Sequence, residues 1–472
     1  MKRISLFFVL FAIAAVSFAQ AQFVGNWEGS VNVGKKLRLV FHIKQDGDSL
    51  LTTMDSPDQG VTGISCQHTV TDHDSMIVDM SNIGIVYEGK LLGDTIQGLW
   101  HQGGMNVAIT FVKTTKPSEL YRPQTPKPPF DYISEDVIYY NKDKSIRFGA
   151  TITKPKGNGP FPTVLLITGS GQQNRDEELF GHKPFAVIAD YLTKDGYLVM
   201  RVDDRGMGQT TGDAINATTA DFAGDVMQGV NYLETRKDVN AKRIVLIGHS
   251  EGGIIAPMVA VQRKDIYAIV MMAGAGVKIP ELMEEQSAAI IESASPNKGM
   301  IEQYKKLYRS MEDAVLAASD SNDVRNRATL AMDTWMRNTV PDMIKAAGMG
   351  DEDAREQYIN SFVTVYKSKW FNYFLRIDPI NYLPKLTCKV LAINGEKDIQ
   401  VIAKTNLQGM KDALMKSKAK EYELKELPGL NHLFQQCNTC TSDEYGTLTE
   451  TISPSALSVM GVWLDENVKN SK

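Results

Sequence analysis

The stretch GHSEGG, Gly248 to Gly253, follows the apolar run RIVLI without a gap. A serine between two glycines at that junction is the pattern of a nucleophile on a tight strand-to-helix turn. There the serine takes a strained backbone conformation, and Gly248 and Gly252 lack the side chains that would clash. The turn lifts the Ser250 hydroxyl above the sheet. It also aims the Glu251 amide, at a helix N-terminus, toward any negative charge that develops. Gly-x-Ser-x-Gly is short enough to arise by chance, so the other parts of an acyl-transfer site must be found elsewhere in the chain.

A serine hydroxyl needs a base. Of the seven histidines, His42, His68, His73 and His101 belong to a β-rich N-terminal region. His182 opens a helical stretch, and His249 is part of the turn itself. His432, in LPGLNHLFQQ, comes after the last strand signal, on a loop that can fold back over the strand ends. The base needs a carboxylate to orient it. KVLAINGEKDIQV ends a strand and offers Asp398, with Glu396 as the alternative. The order Ser, Asp, His is the one expected around a strand–turn–helix nucleophile. A second oxyanion donor is sought in ITGSGQQNRDEE, where the glycines let backbone amides approach a ligand. Ser170 N–H is the first choice and Gly171 the second. Gln172, Gln173, Arg175 and Asp176 could position substrate, although Arg175 and Asp176 are expected to pair with one another. DDRGMGQTTG, residues 203–212, reads as a structural turn in which Asp203 or Arg205 ties loops together.

These residues need a frame. From about residue 131, strand and helix signals alternate. DVIYYN and IRFGATITK suggest a hairpin; FPTVLLI, YLVMRV, KRIVLIGHS and IYAIVMM are apolar strands separated by helical stretches. That rhythm means a mostly parallel sheet with crossover helices. Between about 277 and 384 only helical patterns occur, and the sheet resumes with CKVLAING and KEYELKEL. An insertion of that length is expected to be a functional cap, with a scaffold for oligomer contacts as the alternative. Ahead of the sheet, residues 22–114 carry short alternating strands at even spacing, as in a small all-β sandwich or barrel. Trp27 and Trp100 are expected to plug its core. Residues 115–130 hold Pro117, Pro123, Pro126, Pro128 and Pro129 and read as a stiff linker. The fold class is therefore α/β with a helical cap, preceded by a small all-β domain.

Residues 1–21 pair Lys2 and Arg3 with an apolar run and end in Ala19-Gln20-Ala21, the pattern of a signal peptide. The run is shorter than the ~20 residues needed to span a bilayer. The expected location is the periplasm or outside the cell, with no membrane span in the mature chain. A net charge of −5 with no basic run argues against nucleic acid as the main partner. Cys437 and Cys440 are open between a local disulfide and free thiols, and no cluster of ligands suggests a metal.

Taken together, LLITGSG, DDRGMGQTTG, GHSEGG, NGEKDIQV and GLNHLF resemble the α/β-hydrolases over about residues 131–470. More narrowly, the chain resembles exported bacterial esterase-like hydrolases with a helical cap, often labelled serine aminopeptidase-like, some of which have a small β domain in front. The resemblance implies Ser250 as nucleophile, Asp398 as acid and His432 as base, with no cofactor or metal. Two positions depart from the pattern: Thr168 stands where many relatives have histidine, and Cys437 and Cys440 follow His432. The expected activity is hydrolysis of small-molecule carboxylic esters. A peptidase using Glu281, Glu284 and Glu285 to hold an amine, and an acyltransferase with the same triad, are the alternatives. A non-enzymatic binding module led by the β domain is the contrasting reading. Trp370, Phe371, Tyr373 and Phe374 of the cap could line an acyl site, including Trp370 and Tyr373 as substrate contacts, or could simply pack the cap onto the sheet.

Overall fold

The computed structural model describes residues 20–32, 36–47, 49–59, 61–116, 121–294, 297–419 and 421–470. The leader expected over residues 1–21 lies outside them, apart from Gln20 and Ala21. The chain divides into two compact units. One holds the chain up to Arg122 together with Leu179–Gly181; the other holds Pro123–Glu178 and His182 onward.

The first unit is one antiparallel sheet of nine strands: β1 Gly25–Asn32, β2 Lys36–Asp46, β3 Ser49–Ser56, β4 Val61–Ser65, β5 His68–Asp72, β6 Ser75–Met80, β7 Ile85–Leu92, β8 Thr95–Gln102 and β9 Met105–Thr114. Their order is β4-β3-β2-β1-β9-β8-β7-β6-β5. The sheet rolls on itself rather than splitting into two layers: Thr69 of β5 donates its hydroxyl to Thr52 of β3 at 2.7 Å. Strict alternation in β3 and β6 puts every second side chain inside. Trp27 and Trp100 are buried there, beside a cluster of Phe41, Tyr87 and Phe111.

In the second unit, eight strands form a sheet in the order β10-β11-β13-β12-β14-β15-β16-β17. They are β10 Ile133–Tyr140, β11 Arg147–Lys154, β12 Phe161–Ile167, β13 Leu198–Val202, β14 Val239–His249, β15 Ala268–Met272, β16 Lys389–Gly395 and β17 Tyr422–Leu427. The hairpin β10–β11 and the β11–β13 pair are antiparallel; from β13 to β17 every pair is parallel. Val245, Ile247, Val270 and Leu391 face one core, and Leu246, Ile269, Met271 and Val390 face the other. Burial on both faces is why these strands read as unbroken apolar runs rather than alternating ones.

Between β15 and β16 come the helices Ile279–Ala294, Lys298–Ala317, Ser321–Asn338, Pro341–Ala346, Glu352–Lys367 and Lys369–Phe374. The insertion leaves the sheet register undisturbed, with Ala268 still opposite Lys389. Asn297, Asp320, Asp351 and Ser368 each accept a backbone N–H at the start of their helices, which satisfies donors the helix cannot. Leu307, Met311, Val324, Met332 and Phe362 are the buried faces that hold these helices together. Among the described residues, no helix is long and apolar enough to cross a membrane.

Candidate active site

Ser250 directly follows β14 and precedes the helix Gly252–Gln262, with a left-handed φ of 53°. A non-glycine residue pays for that conformation, roughly 1–3 kcal/mol, so the turn must be held from outside. Two features hold it. Ser250 N–H donates to the Met272 carbonyl at 2.8 Å, and Gly253 N–H closes on the Ser250 carbonyl at 2.9 Å. The flanking glycines have no alternative: a Cβ on Gly248 would lie 1.9 Å from the Gly252 oxygen, and one on Gly252 would lie 2.2 Å from the Ile167 oxygen.

His432 and Asp398 meet on loops beyond the carboxyl ends of β16 and β17. His432 Nδ1 lies 2.8 Å from Asp398 Oδ2, and both residues are buried. Asp398 is immobilised by its own loop. Its Oδ1 accepts the amides of Gln400 at 2.8 Å and Val401 at 2.9 Å, and its Oδ2 also accepts from Asn394 Nδ2 at 3.2 Å. Glu396 is engaged elsewhere, accepting the Gly429 amide at 3.0 Å and pairing with Lys397 at 3.2 Å. The His432 loop is anchored to the Ser250 turn: His249, next to Ser250, points Nε2 at the His432 carbonyl, 3.0 Å away.

The backbone donors anticipated for an oxyanion are free. Among the described residues the amides of Glu251, Ser170 and Gly171 have no protein acceptor. The neighbouring Gly169 amide is taken by Glu177 Oε1 at 2.8 Å, and a Cβ placed on Gly169 would sit 3.2 Å from the Ser250 Cβ. The Gly169–Gly171 loop therefore lies directly against Ser250. Thr168 donates its hydroxyl to Asp204 Oδ1 at 2.7 Å, and the Gln173 amide binds the other oxygen at 2.9 Å. Burial pushes the Asp204 carboxyl up to about 7.

Beside this loop is a small cavity of about 60 Å³. Phe148, Leu165, Phe222 and Ile255 give it apolar walls, and Gly169, Gly171 and Glu251 border it. The Glu251 side chain reaches two elements at once. Its Oε1 accepts from Thr219 Oγ1 at 2.7 Å and from Trp370 Nε1 at 2.9 Å. Burial pushes this carboxyl above the usual range, against the hydrogen bonds it accepts. Trp370 thus stacks on Phe371 and Phe374 within the cap while its N–H reaches the residue after Ser250. Tyr373 packs half-buried against the main core, and Gln172 donates its side chain to the Arg205 carbonyl at 3.0 Å.

One expectation is corrected. Arg175 and Asp176 do not pair with each other. They are the two central residues of a turn closed by Glu177 N–H on the Asn174 carbonyl, and each finds an opposite charge elsewhere. Arg175 instead grips Asp203 at 2.6 Å and Asp136 at 3.1 Å, while Asp176 binds Arg201. Asp203 does tie loops, and Arg205 does so through Asp225. Cys437 and Cys440 are joined by a disulfide. Among the described residues, no group of three or more His, Cys, Asp or Glu is placed to hold a metal.

A strained serine between a parallel strand and a helix, with a His–Asp pair on loops past the following strands, is the arrangement of the α/β-hydrolase fold, and the second unit has that fold. Within it, the model of a family described as serine aminopeptidase, S33, matches residues 183–346, a segment that includes Ser250 but neither Asp398 nor His432. The chain is similar to esterase EstD of Thermotoga maritima, 28% identical over 226 residues, which cover 46% of this chain and 54% of that one. It is also similar to human dipeptidyl peptidase 8, 28% identical over 169 residues, 32% of this chain and 17% of the peptidase. The chain thus spans about half of the esterase and a small part of the peptidase. Among solved structures it is similar to the α/β hydrolase GrgF from Penicillium sp. sh18, with 16% identity, a TM-score of 0.42, and coverage of 71% of this chain and 99% of the other. Est1E from Butyrivibrio proteoclasticus, also 16% identical, has a TM-score of 0.40 over 71% of this chain and 99% of its own.

Proposed function

We propose that the protein is a serine hydrolase of small carboxylic esters. Ser250 attacks the ester carbonyl while His432 Nε2 takes its proton; Asp398 orients the imidazole and offsets its positive charge. The amides of Glu251 and Ser170 receive the oxyanion. His432 then protonates the leaving alcohol, leaving an acyl group on Ser250 Oγ. Water repeats the sequence, and the acid departs with the enzyme restored. Loss of one oxyanion donor would cost ~3 kcal/mol of transition-state stabilisation.

The observation that carries this reading is the convergence of three separate segments: the Ser250 turn, the His432–Asp398 pair anchored to it through His249, and the free amides of the Gly169–Gly171 loop packed on Ser250. The apolar cavity beside that loop suits a short acyl or aryl group. A peptidase reading draws on the family match and the acids of the cap. Those acids are partly committed, however: Glu284 lies 3.6 Å from Lys305, and Glu285 accepts the Thr405 hydroxyl at 2.9 Å. Export belongs to the same proposal. It is supported by the leader-like start and the Cys437–Cys440 disulfide, and N-terminal sequencing of the secreted protein tests it.

A fluorophosphonate probe should label the wild type and not Ser250→Ala. Purified protein should hydrolyse p-nitrophenyl esters in preference to aminoacyl nitroanilides, without diversion of product by added alcohols. Absence of labelling in folded wild-type protein would remove the enzymatic reading altogether.

A further inference from the structure

His249, inside the nucleophile motif, is fully engaged by groups outside it. Its Nε2 lies 3.0 Å from the His432 carbonyl, and its Nδ1 lies 3.0 Å from Glu177 Oε1. A carbonyl can only accept, so Nε2 carries a hydrogen. Glu177 Oε1 already accepts the Gly169 amide at 2.8 Å, so the Nδ1 contact also needs a hydrogen between the two atoms. The His249–Glu177 pair therefore holds a second proton, as an imidazolium on a carboxylate, in a site from which water is excluded.

We propose that Glu177 and His249 form a protonated brace that fixes the oxyanion loop and the base loop to the nucleophile turn together. Glu177 holds the Gly169 amide, which sets the loop bearing the Ser170 and Gly171 amides. His249 holds the main chain of His432, which sets the height of the base over Ser250. Both are positioning residues, and the idea rests on the serine-hydrolase reading above. The local backbone agrees with a role beyond packing. Glu177 is held at a φ of 52°, a left-handed conformation at a buried residue that is not glycine. The charged groups facing the pair are Asp398 behind His432 on one side and Asp204 on the other. Burial opposes charge on His249, but the Glu177 carboxylate outweighs it, and its pKa is raised.

Because the extra proton is part of the brace, the arrangement loosens as pH rises through the raised His249 value. Deprotonated, His249 would keep its hydrogen on Nε2 and present a lone pair at Nδ1 to the carboxylate. Glutamine at 177 cannot replace the carboxylate in full. Both bonds fall on the single oxygen Oε1, so an amide group there can accept the Gly169 N–H or donate to a neutral Nδ1, but not both.

The test uses the full-length mature protein with ¹⁵N-labelled histidine, His249 being assigned by loss of its signals in His249→Gln. Below the raised His249 value the wild type should show two ring N–H signals for His249, and Glu177→Gln, which lacks the carboxylate that offsets burial, only one. Glu177→Ala should lower kcat on a p-nitrophenyl ester roughly 10- to 100-fold with KM little changed, the scale of a small misplacement of catalytic groups. Glu177→Gln, which can keep only one of the two bonds, should restore only part of kcat and lose the alkaline fall in the pH profile. One ring N–H in the wild type, or wild-type kcat in folded Glu177→Ala, overturns the brace. Fluorophosphonate labelling of Ser250 is read in every variant, so failure of the brace is told apart from failure of the serine-hydrolase reading.

Discussion

Asp398→Asn is the sharpest test of how the base is set. Asp398 Oδ1 is held by two amides, at 2.8 and 2.9 Å, from Gln400 and Val401. In the variant the amide oxygen must stay with those two donors, because an NH2 facing them would leave all three groups unsatisfied. The side-chain nitrogen is then forced onto the position of Oδ2, 2.8 Å from His432 Nδ1. An NH2 cannot accept from Nδ1–H, so His432 moves its proton to Nε2, the atom that must receive the Ser250 proton. The base is lost by tautomer, with little change of shape. A change of this type lowers kcat by ~10⁴-fold, equivalent to about 5 kcal/mol of barrier. The nitrogen also meets the Asn394 NH2, now 3.2 Å away with no acceptor between them, so stability should fall by a further ~1–3 kcal/mol. Steady-state hydrolysis of p-nitrophenyl acetate, with near-ultraviolet circular dichroism to confirm folding, measures both. If kcat in folded protein stays within tenfold of wild type, His432 is not oriented by Asp398 and the assignment of the acid is wrong.

Two further outcomes follow from groups outside that pair. Glu312 is fully buried in the cap with neither carboxyl oxygen hydrogen-bonded; burial pushes its pKa up to about 9 from an ordinary 4.5. A carboxyl raised in the folded state costs stability as pH climbs above its unfolded value, roughly 3 kcal/mol at pH 7 as an upper figure. Thermal unfolding should therefore find Glu312→Gln gaining on the wild type between pH 5 and pH 8; equal melting temperatures at both would contradict the burial argument. Native protein without reductant should yield no reactive thiol, denatured protein two, from Cys66 and Cys388, and denatured reduced protein four, because Cys437 and Cys440 are bonded; counting labelled cysteines by mass decides it.

What the sequence made legible and what it hid divide by the range of the interactions involved. Ser250, Asp398 and His432 each announce themselves locally, through a glycine-flanked turn, a strand end and a loop after the last strand. Apolar strands buried on both faces gave the parallel sheet for the same reason, since each run is self-contained. The rolled single sheet of the N-terminal unit was harder, because alternation fixes which side chain points inward but not whether nine strands split or stay continuous. Hidden entirely were contacts between residues remote in sequence. His249 and Glu177 are 72 residues apart, and Glu251 and Trp370 are 119 apart. No periodicity marks such pairs. Arg175 and Asp176 show the same limit from the other side, since adjacency suggested a pair while each is bound to a residue remote in sequence.

That division bears on which substitutions the site tolerates. None of the three residues read from local motifs fixes its own height above the sheet. Ser250 depends on Met272 for its amide, His432 on His249 for its carbonyl, and Asp398 on its own loop amides. A chain could keep all three motifs and lose its geometry by changing Glu177 alone, since that carboxylate is the point where the oxyanion loop and the histidine brace join. The motif set is therefore necessary but incomplete as a description of this site. The missing part is a buried charge pair that sequence spacing cannot show and that hydrogen-bond bookkeeping in three dimensions does.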